Sequence, residues 1–548
     1  MVQGQPSSSW RGYCVRLAAL GFCGPLMAQA PLLQDGADRL RREGLDWIAQ
    51  APPREDRSAW LEAGGFGDGR TGTLRAPLVG GEGLGTSTQG AGALIAFQLP
   101  AGGWTFSGTF AAQKGLQGDR DALVLLEGGI TYRTGGGWRF GLTQSPFTWG
   151  PGQTGGYLMG TSARPFPRFF AESRPFDLSL WGVPLGRWRA ETFIGRLEWQ
   201  RELPDDLPNA EHQKAALAQQ GDIRRPDLSG LRLTGQFGPH IELGMGLVSM
   251  WGGVQRDGRS TRAGYSAKDY LLGYFGAENI AEVESSSQFN EAAFKAISDA
   301  IAAVDVKVRI PALARLAGAE GAVIYLSRGA ENVNWQWKDF LKHPLRAIGH
   351  DLSHDWRQFR KGPRRWFSSD LESFWGYGRH ESVPSLEHVN DVLGVQWVWT
   401  RSDLAVEYAD TRNIPWQGSG YRTYSHNTYL SGYSRYGDFL GMAFGGDVIT
   451  RTVAWGLRSP EAWQGRLLVT DGIKAYRDTD FLWNAAHPGQ TETNNRFLHL
   501  QAEAQWRGPG HRLGFTLGWM RNSARAFVPG ARAEGWTGLA SWSVRFPR

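Results

Sequence analysis

Apolar and polar residues alternate in the C-terminal part of the chain with the two-residue period of a β-strand. In HRLGFTLGWM (511–520) the apolar side chains fall on one face: Leu513, Phe515, Leu517 and Trp519. The other face is small or polar: Arg512, Gly514, Thr516 and Gly518. FLHLQAEAQW (497–506), LRLTGQ (231–236) and DLAVEY (403–408) repeat the pattern. Each segment therefore predicts a strand with one apolar and one polar face.

The length and the ends of these segments favour a membrane barrel over a soluble β-sandwich, which would also alternate. The segments are about ten residues long, as a tilted membrane strand requires. The last segment, WTGLASWSVRF, places Trp542, Val544 and Phe546 on one face, like the terminal strand of an outer-membrane barrel. Tryptophans recur at segment ends: Trp104, Trp138, Trp251, Trp397 and Trp399. We predict an all-β membrane protein, a large antiparallel outer-membrane β-barrel of about 16–18 strands with a small helical plug or cap.

Composition agrees with a barrel and narrows the possible chemistry. The 548 residues include 74 Gly and 25 Trp, and only 20% of them are charged. Barrels need small residues inside and aromatic belts at both membrane interfaces. The only cysteines are Cys14 and Cys23, and the 11 histidines show no paired ligand spacing, so we expect no metal and no other cofactor. The net charge of +6 would suit an acidic partner.

The chain begins with the features of a secretory signal peptide over residues 1–30. Two arginines precede a short apolar run from Leu17 to Met27, and small residues allow cleavage after Ala28 or Ala30. The apolar run is shorter than the roughly 20 residues that span a bilayer. We predict an N-terminal periplasmic helix and linker over residues 31–89, and the barrel over residues 90–548.

Two stretches interrupt the strand pattern. Gln288 to Val304 has apolar residues at helical spacing, and Asn334 to Ile348 predicts a second short helix. We therefore predict a helical insertion around residues 286–350 that plugs or caps one mouth of the barrel. The block from Trp356 to Trp375 is basic and aromatic, which indicates a solvated loop, with ligand binding as the alternative.

The stretch from Tyr421 to Trp455 combines tyrosines with many glycines and predicts a strand, a loop and a second strand. Aromatic faces stack on sugars, and polar side chains bind sugar hydroxyls. The candidate polysaccharide-binding residues are His426, Asn427, Tyr429, Tyr433, Tyr436 and Asp438. The alternative is an aromatic girdle that meets no sugar. A catalytic triad of Ser425, His426 and Asp447 is disfavoured, because neighbours in a strand point to opposite faces.

Four motifs, in order along the chain, resemble the Wzi capsule-assembly family of Gram-negative outer membranes. The first motif comprises Trp149, Gly150, Pro151, Gly152, Gly156, Leu158, Ala163, Arg164 and Pro165. The second comprises Phe193, Gly195, Leu197 and Glu198, and the third Arg232, Leu233, Trp251, Gly252 and Gly253. The fourth comprises His426, Asn427, Tyr429, Gly432, Tyr433, Gly441, Gly446 and Asp447. Ser162 stands where the family pattern leads us to expect Asn. The span from Asp257 to Pro384 fits the pattern poorly.

This resemblance implies an outer-membrane barrel of about 18 strands, with a helical element closing its periplasmic side. It also implies a lectin-like role without catalysis, in which the protein attaches or assembles capsular polysaccharide or exopolysaccharide at the cell surface. The structural residues of the family motifs are Trp149, Gly150, Pro151, Gly152, Arg164, Pro165, Gly446 and Asp447.

The expected partners are an acidic capsular polysaccharide or exopolysaccharide, outer-membrane lipid and the barrel-assembly machinery, with no nucleic acid. Two other functions stay open: an outer-membrane porin or transporter, and an outer-membrane lipase or deacylase. Asp257-Gly258-Arg259-Ser260 is similar to the serine region of outer-membrane phospholipases, but no matching upstream histidine motif accompanies it.

Overall fold

The computed structural model describes the strands and many of their connections. The described residues are 59–72, 76–79, 90–113, 122–199, 201–202, 223–255, 258, 260–261, 266–275, 298–331, 389–411, 424, 429, 432–436, 438–446, 448–459, 463–474, 495–508, 510–524 and 530–547. The predicted signal peptide and N-terminal helix lie outside these residues, as do the second predicted helix at 334–348 and the basic block at 356–375.

Twenty-one strands and two helices occur in the described residues. The strands are β1 Trp60–Gly72, β2 Gly90–Ala101, β3 Trp104–Gln113, β4 Ala122–Arg133, β5 Arg139–Gln144, β6 Arg168–Glu172, β7 Phe176–Leu180, β8 Val183–Arg196, β9 Asp227–Phe237, β10 Ile241–Trp251, β11 Ser298–Arg309, β12 Gly321–Glu331, β13 Val389–Val398, β14 Ser402–Asp410, β15 Ser434–Arg435, β16 Asp438–Phe439, β17 Val448–Arg458, β18 Trp463–Lys474, β19 Asn495–Gly508, β20 His511–Asn522 and β21 Ala533–Pro547. The helices are α1 Ala267–Phe275 and α2 Pro311–Leu316. Neither helix is long or apolar enough to cross a membrane.

The strands close into an antiparallel barrel. Consecutive strands of the ring pair with one another, with β6 joined to β8 and β14 to β17, and β1 pairs with both β2 and β21, which joins the first strand to the last. The sheet contains 19 strands, but β7 pairs only with β8 and prolongs the line of β6, so the ring has 18. The short pair β15 and β16 forms a separate sheet. The predicted large antiparallel β-barrel of about 16–18 strands is confirmed.

Connections at the two ends of the barrel differ in length. At one end, the turn side, most strands are joined by a few residues, such as 102–103, 238–240 and 399–401. At the other end, the loop side, the connections are long and include residues 145–167, 252–297 and 411–447. Outer-membrane barrels have short periplasmic turns and longer extracellular loops, so the loop side is the extracellular side.

Side chains face as the alternation predicted. In β20, Phe515 is 47% exposed on the outer face, whereas its neighbour Thr516 is 6% exposed on the lumen face. In β19, Leu498 and Leu500 are exposed while His499 and Gln501 are buried. The apolar residues thus face the membrane and the polar residues face the lumen, which is the inverse of a soluble protein.

The barrel sheet begins earlier than predicted, at Trp60 instead of Gly90. The glycines between 64 and 72 were interpreted as part of a linker, but they belong to β1. A Cβ at Gly64 would lie 1.9 Å from the Trp542 carbonyl oxygen of β21, so the close approach of these two strands requires glycine there. Glycine is rare in strand interiors except where another backbone approaches closely.

The helix predicted from Gln288 to Val304 is wrong over its last seven residues, which begin β11. Residues 288–297 lie outside the described part of the chain. In β11, Asp299, Ile301 and Ala303 are buried on the lumen side. Alanines occupy both faces of this strand, so the apolar pattern fitted a helical period as well as a two-residue period.

Candidate functional site

Two loop-side connections fold into the barrel and occupy its lumen. The first plug segment is residues 145–167, between β5 and β6, and it contains the Trp149-Gly150-Pro151-Gly152 motif. Trp149 is buried, and its Nε1 donates a hydrogen bond to Glu191 Oε2 of β8 at 3.0 Å. Gly150 and Gly152 have φ of 105° and 149°, a region that favours glycine, and these angles turn the chain within the lumen.

Glu407 of β14 anchors the first plug segment to the barrel wall. Its Oε2 accepts hydrogen bonds from the Gln153 main-chain N–H at 2.6 Å and from the Tyr325 hydroxyl at 2.8 Å. Its Oε1 accepts from the Thr154 Oγ1 hydroxyl at 3.0 Å. Two strands further round the ring, Arg466 of β18 donates to the Gln153 carbonyl at 3.1 Å. The plug is therefore bonded to several separate strands of the wall.

The second plug segment comprises the described residues from Tyr424 to Gly446, and its tyrosines bind the first segment. Tyr424 and Tyr433 stack with ring centroids 5.6 Å apart. Their hydroxyls donate to the main-chain carbonyls of Tyr157 at 2.6 Å and Leu158 at 2.7 Å. Burial raises the pKa of the Tyr433 hydroxyl well above its usual value, so this group stays a neutral donor.

Two of the predicted sugar-binding tyrosines are thus enclosed in the plug. Tyr429 is 0% exposed and Tyr433 is 1% exposed. The Tyr429 hydroxyl donates to the Gly252 carbonyl at 3.1 Å. In this structure neither ring presents a face on which a sugar could stack, because both pack against protein. Their observed role is to hold loop-side connections together.

Glycines on the lumen face of the wall make room for the plug. A Cβ at Gly329 of β12 would lie 1.9 Å from Tyr157 Cε1, and one at Gly246 of β10 would lie 2.7 Å from Leu158 Cδ1. The Tyr157 hydroxyl also accepts a hydrogen bond from Asn390 Nδ2 of β13 at 2.8 Å. Part of the high glycine content therefore serves the contact between wall and plug.

A third stretch, residues 76–79, also lies in the lumen. The Pro77 carbonyl lies 2.8 Å from His499 Nε2, and the Val79 N–H donates to Gln501 Oε1 at 2.8 Å, both on β19. Leu78 packs in an apolar cluster with inward side chains of four other strands: Phe66, Leu94, Leu126 and Leu539. Together, the three stretches contact lumen-facing residues around the ring.

A buried charged cluster lies where the two plug segments meet the loop-side end of β8. The Arg201 guanidinium pairs with Glu198 at 3.1 Å, and Arg435 lies 3.8 Å from the same carboxylate. Arg164 lies over the Tyr436 ring at 4.8 Å, and Arg435 lies over it at 5.3 Å. Burial lowers the pKa of the Arg164 and Arg435 guanidinium groups, and the nearby Glu198 opposes this shift.

This cluster brings together residues from separate predicted motifs. Tyr436 is half-buried, with φ of 49°, and Asp438 acts electrostatically on Arg164. Pro165, which follows Arg164 in the sequence, and Gly446 are also buried. The predicted residues His426, Asn427 and Asp447 lie outside the described residues. Of the candidate sugar-binding set, Tyr436 and Asp438 are therefore the pair that the structure places beside charged groups.

Sequence patterns did not assign the residues that tie the plug to the wall. Glu407 was placed on a polar strand face, but nothing indicated that its partners lie on residues 153 and 154. Arg201 was also missed; its guanidinium donates to the Ser434 carbonyl at 2.8 Å and to the Gly432 carbonyl at 2.7 Å. Every residue has a main-chain carbonyl, so contacts to such acceptors cannot be recognised from residue types in the sequence.

The barrel and its internal plug define a class: a large outer-membrane β-barrel whose lumen is occupied by its own loops. The family model of the capsule assembly protein Wzi matches residues 71–331. The resemblance to the Wzi capsule-assembly family that the motifs indicate is confirmed over this part of the chain. The fourth motif, around residues 426–447, lies beyond the matched part.

A solved structure shares this architecture. Wzi of Escherichia coli, described as an outer membrane protein involved in group 1 capsule assembly and as a carbohydrate-binding β-barrel, is 14% identical. The match covers 96% of this chain and 100% of that one, with a TM-score of 0.54, and shows a shared fold. OprD of Pseudomonas aeruginosa, an outer membrane protein, is 10% identical over 94% of this chain and 98% of its own, with a TM-score of 0.42. No curated protein sequence matches the chain.

Proposed function

We propose that this protein is a lectin-like outer-membrane barrel that attaches or assembles capsular polysaccharide or exopolysaccharide at the loop side, without catalysing a reaction. The observation that carries the proposal is the plug. Glu191 on β8 bonds the first plug segment, and His499 on the far side of the ring, on β19, bonds the stretch 76–79. A polymer that meets such a barrel meets its loop-side surface instead of an open pore.

We assign the contact with the polymer to the half-buried Tyr436 ring, and the buried charged cluster behind it supplies a positive field. In that cluster Arg164, Arg201 and Arg435 outnumber the acidic Glu198 and Asp438. The excess of positive charge favours an acidic polymer. The half-buried Tyr436 ring supplies an aromatic edge beside these groups. A single sugar contact is weak, so retention of a polymer depends on many proteins engaging one chain.

The test compares the amount of cell-bound and shed polysaccharide after deletion of the gene and after its replacement by variants. Deletion should shift polymer from the cell to the medium. Tyr436→Ala should shift it in the same direction, whereas Tyr436→Phe should keep it bound, because the aromatic ring stays in place. Heat-modifiable migration of each variant shows that the barrel has assembled.

Purified protein separates this proposal from a porin. We expect binding to the organism's acidic surface polysaccharide, no hydrolysis of it, and little conductance in planar bilayers. Large single-channel conductance without polysaccharide binding at any salt concentration would instead identify a porin or transporter. Release of fatty acids or acyl groups from lipid or polymer would instead identify a lipase or deacylase.

A further inference from the structure

Helix α1 lies against the outer wall of the barrel and not in the lumen. Alternation in β9 and β10 places Leu228 and Val248 on the lumen side, so Ser229 and Ser249 point outward. Ser249 Oγ donates to the Gly273 carbonyl at 2.7 Å, and Ser229 Oγ donates to the Tyr274 carbonyl at 2.9 Å. Part of a loop-side connection therefore folds back over the membrane-facing surface.

The local sequence explains why the helix forms and docks here. Ser266 and Asp269 cap its start, since the Asp269 N–H donates to Ser266 Oγ at 3.3 Å and the Ser266 N–H donates to Asp269 Oδ2 at 2.6 Å. The last carbonyls of a helix lack partners within it, and the two wall serines supply donors. A Cβ at Gly273 would lie 2.9 Å from the Trp251 ring, so glycine permits the close contact.

The position of the helix places it at the level of the outer leaflet. Ser229 is two residues inside the loop-side end of β9, and Ser249 is two residues inside that of β10. At about 3.4 Å per residue, both serines lie roughly 7 Å below the strand ends. The neighbouring outward side chains Ile194 and Met245 are apolar and exposed, as membrane-facing residues are.

The part of α1 that the wall does not cover is also apolar. Leu271 and Phe275 are exposed, and the Tyr270 ring, which meets Trp251 of the wall edge-on at 5.9 Å, is also partly exposed. Such an apolar face is unfavourable in water, whereas the acyl chains of lipid would cover it. The membrane surrounds α1 at this height of the barrel, because the neighbouring outward side chains Ile194 and Met245 are apolar and exposed.

Arginines gather at the same edge of the wall. Asp227 of β9 lies opposite Arg196 of β8 on one side and opposite Trp251 of β10 on the other. Arg196 is thus two strands, or about 10 Å, from the tryptophan that contacts the helix. The Arg196 side chain is 52% exposed although it pairs with Asp227 at 2.9 Å. Arg224 and Arg225 lie over the exposed Trp199 ring at 5.5 and 5.2 Å. The described basic groups here outnumber the acidic ones: Arg196, Arg224, Arg225 and Lys268 against Asp227 and Asp269.

We propose that helix α1 and this arginine group form a binding site for a phosphorylated, multiply acylated lipid of the outer leaflet. The acyl chains lie along Tyr270, Leu271 and Phe275, and the phosphates pair with Arg196, Arg224 and Arg225. Guanidinium groups bind phosphate through paired, charge-assisted hydrogen bonds. Helix α1 lies on the outer wall, and the argument for the site does not rest on the polysaccharide function. An acidic polysaccharide would satisfy the arginines but would leave the apolar helix face unmatched.

The test uses the full-length protein in a non-ionic detergent, with bound lipid counted by native mass spectrometry. The probes are a diphosphorylated, hexa-acylated lipid A, phosphatidylglycerol and inorganic pyrophosphate. We expect lipid A to bind, phosphatidylglycerol to bind more weakly, and pyrophosphate to bind weakly or not at all. The variant R224Q/R225Q, which leaves the Arg196–Asp227 pair intact, should weaken lipid A binding by about tenfold or more. Arg315→Gln, an exposed arginine on the turn side, is the matched control and should have no effect.

A second pair of variants tests the apolar half of the site. L271S/F275S should weaken binding of lipid A without affecting any binding of pyrophosphate, and Leu316→Ser on the turn side is its control. Heat-modifiable migration confirms that each variant is folded. Equal lipid A binding by wild type, R224Q/R225Q and L271S/F275S would overturn the proposal. So would pyrophosphate binding as tight as that of lipid A, or displacement of lipid A by soluble acidic polysaccharide, because each result would remove the role of the acyl chains.

Discussion

Replacement of Glu407 tests whether the plug is held by the contacts that the structure shows. This carboxylate is buried on the lumen face of β14 and bonds two consecutive residues of the first plug segment. Removing it should loosen the plug without disturbing the ladder of the barrel, because its partners are plug atoms and the side chain of Tyr325. The expected result is a rise in conductance through a barrel that is otherwise intact.

The expected size follows from the donors that would lose their acceptor. Glu407→Ala leaves two plug donors, the Gln153 N–H and the Thr154 hydroxyl, without it, and a buried donor left unpaired costs about 1–3 kcal/mol. The two together give about 2–6 kcal/mol. Glu407→Gln keeps one oxygen for the Gln153 N–H, and its amide can donate to Thr154 Oγ1. Glu407→Gln should therefore cost less, about 1–2 kcal/mol, because the hydrogen bonds remain but their acceptor is no longer charged.

The assay is single-channel recording in planar bilayers, because plug opening changes the conducting fraction directly. Since about 1.4 kcal/mol is a factor of ten in an equilibrium constant, Glu407→Ala should raise the open fraction roughly 30-fold or more. Glu407→Gln should raise it by roughly tenfold. Glu534→Ala, an exposed carboxylate on β21, changes the net charge equally and should leave the recordings unchanged.

Two results would refute this reasoning. If Glu407→Ala conducts no more than wild type while still migrating as a folded barrel, the plug does not depend on this anchor. If the Gln and Ala variants open equally, the loss of charge and not the loss of hydrogen bonds controls the plug. The graded order of wild type, Gln and Ala is thus the outcome that the geometry requires.

Three other substitutions test the wall and the plug. Gly329→Leu should cost about 1–3 kcal/mol of plug docking, because its side chain would enter the space of a plug tyrosine ring, and conductance should rise. Leu517→Arg should cost about 2–4 kcal/mol of barrel stability near the membrane midplane, and Thr516→Arg much less; equal refolding yields in liposomes would contradict the assigned facing. Tyr433→Phe should cost about 1–3 kcal/mol through the lost hydrogen bond to a main-chain carbonyl, seen as a lower temperature for the gel shift, with cell-bound polysaccharide unchanged.

The barrel itself was predictable because facing in a strand depends on local order alone. Leu517 and Thr516 are adjacent, and the two-residue period assigned each to its side. The same rule missed β1, where glycines leave no side chains to alternate. Glycine is needed at position 64 because the backbone of Trp542, near the other end of the chain, approaches closely there. Alternation also failed to separate helix from strand in β11, where alanine is on both faces. Local patterns therefore find strands but not the positions where two distant backbones touch.

The candidate site was less predictable, because residue type does not reveal the direction in which a loop side chain points. Tyrosine stacks on sugars in many proteins, which made Tyr429 and Tyr433 reasonable candidates. In the structure their hydroxyls meet main-chain carbonyls 177 and 275 residues away in the sequence. Tyr436, three residues after Tyr433, instead lies against Arg164 and stays half-buried. Only the fold distinguishes these neighbouring tyrosines.

The way the plug is attached bears on where a polymer can act. Its bonds to the wall and within itself come from separate elements: Glu191 on β8, Glu407 on β14, Arg466 on β18 and the stacked Tyr424 and Tyr433. If each hydrogen bond contributes about 1 kcal/mol net, releasing the whole plug breaks several at once and also exposes its buried aromatic rings. A gate that opens in each transport cycle would need weaker and more localised contacts. The plug is thus part of the fold, and in the function proposed above the surface polysaccharide is held at the exposed loop-side surface, beside the half-buried Tyr436 ring.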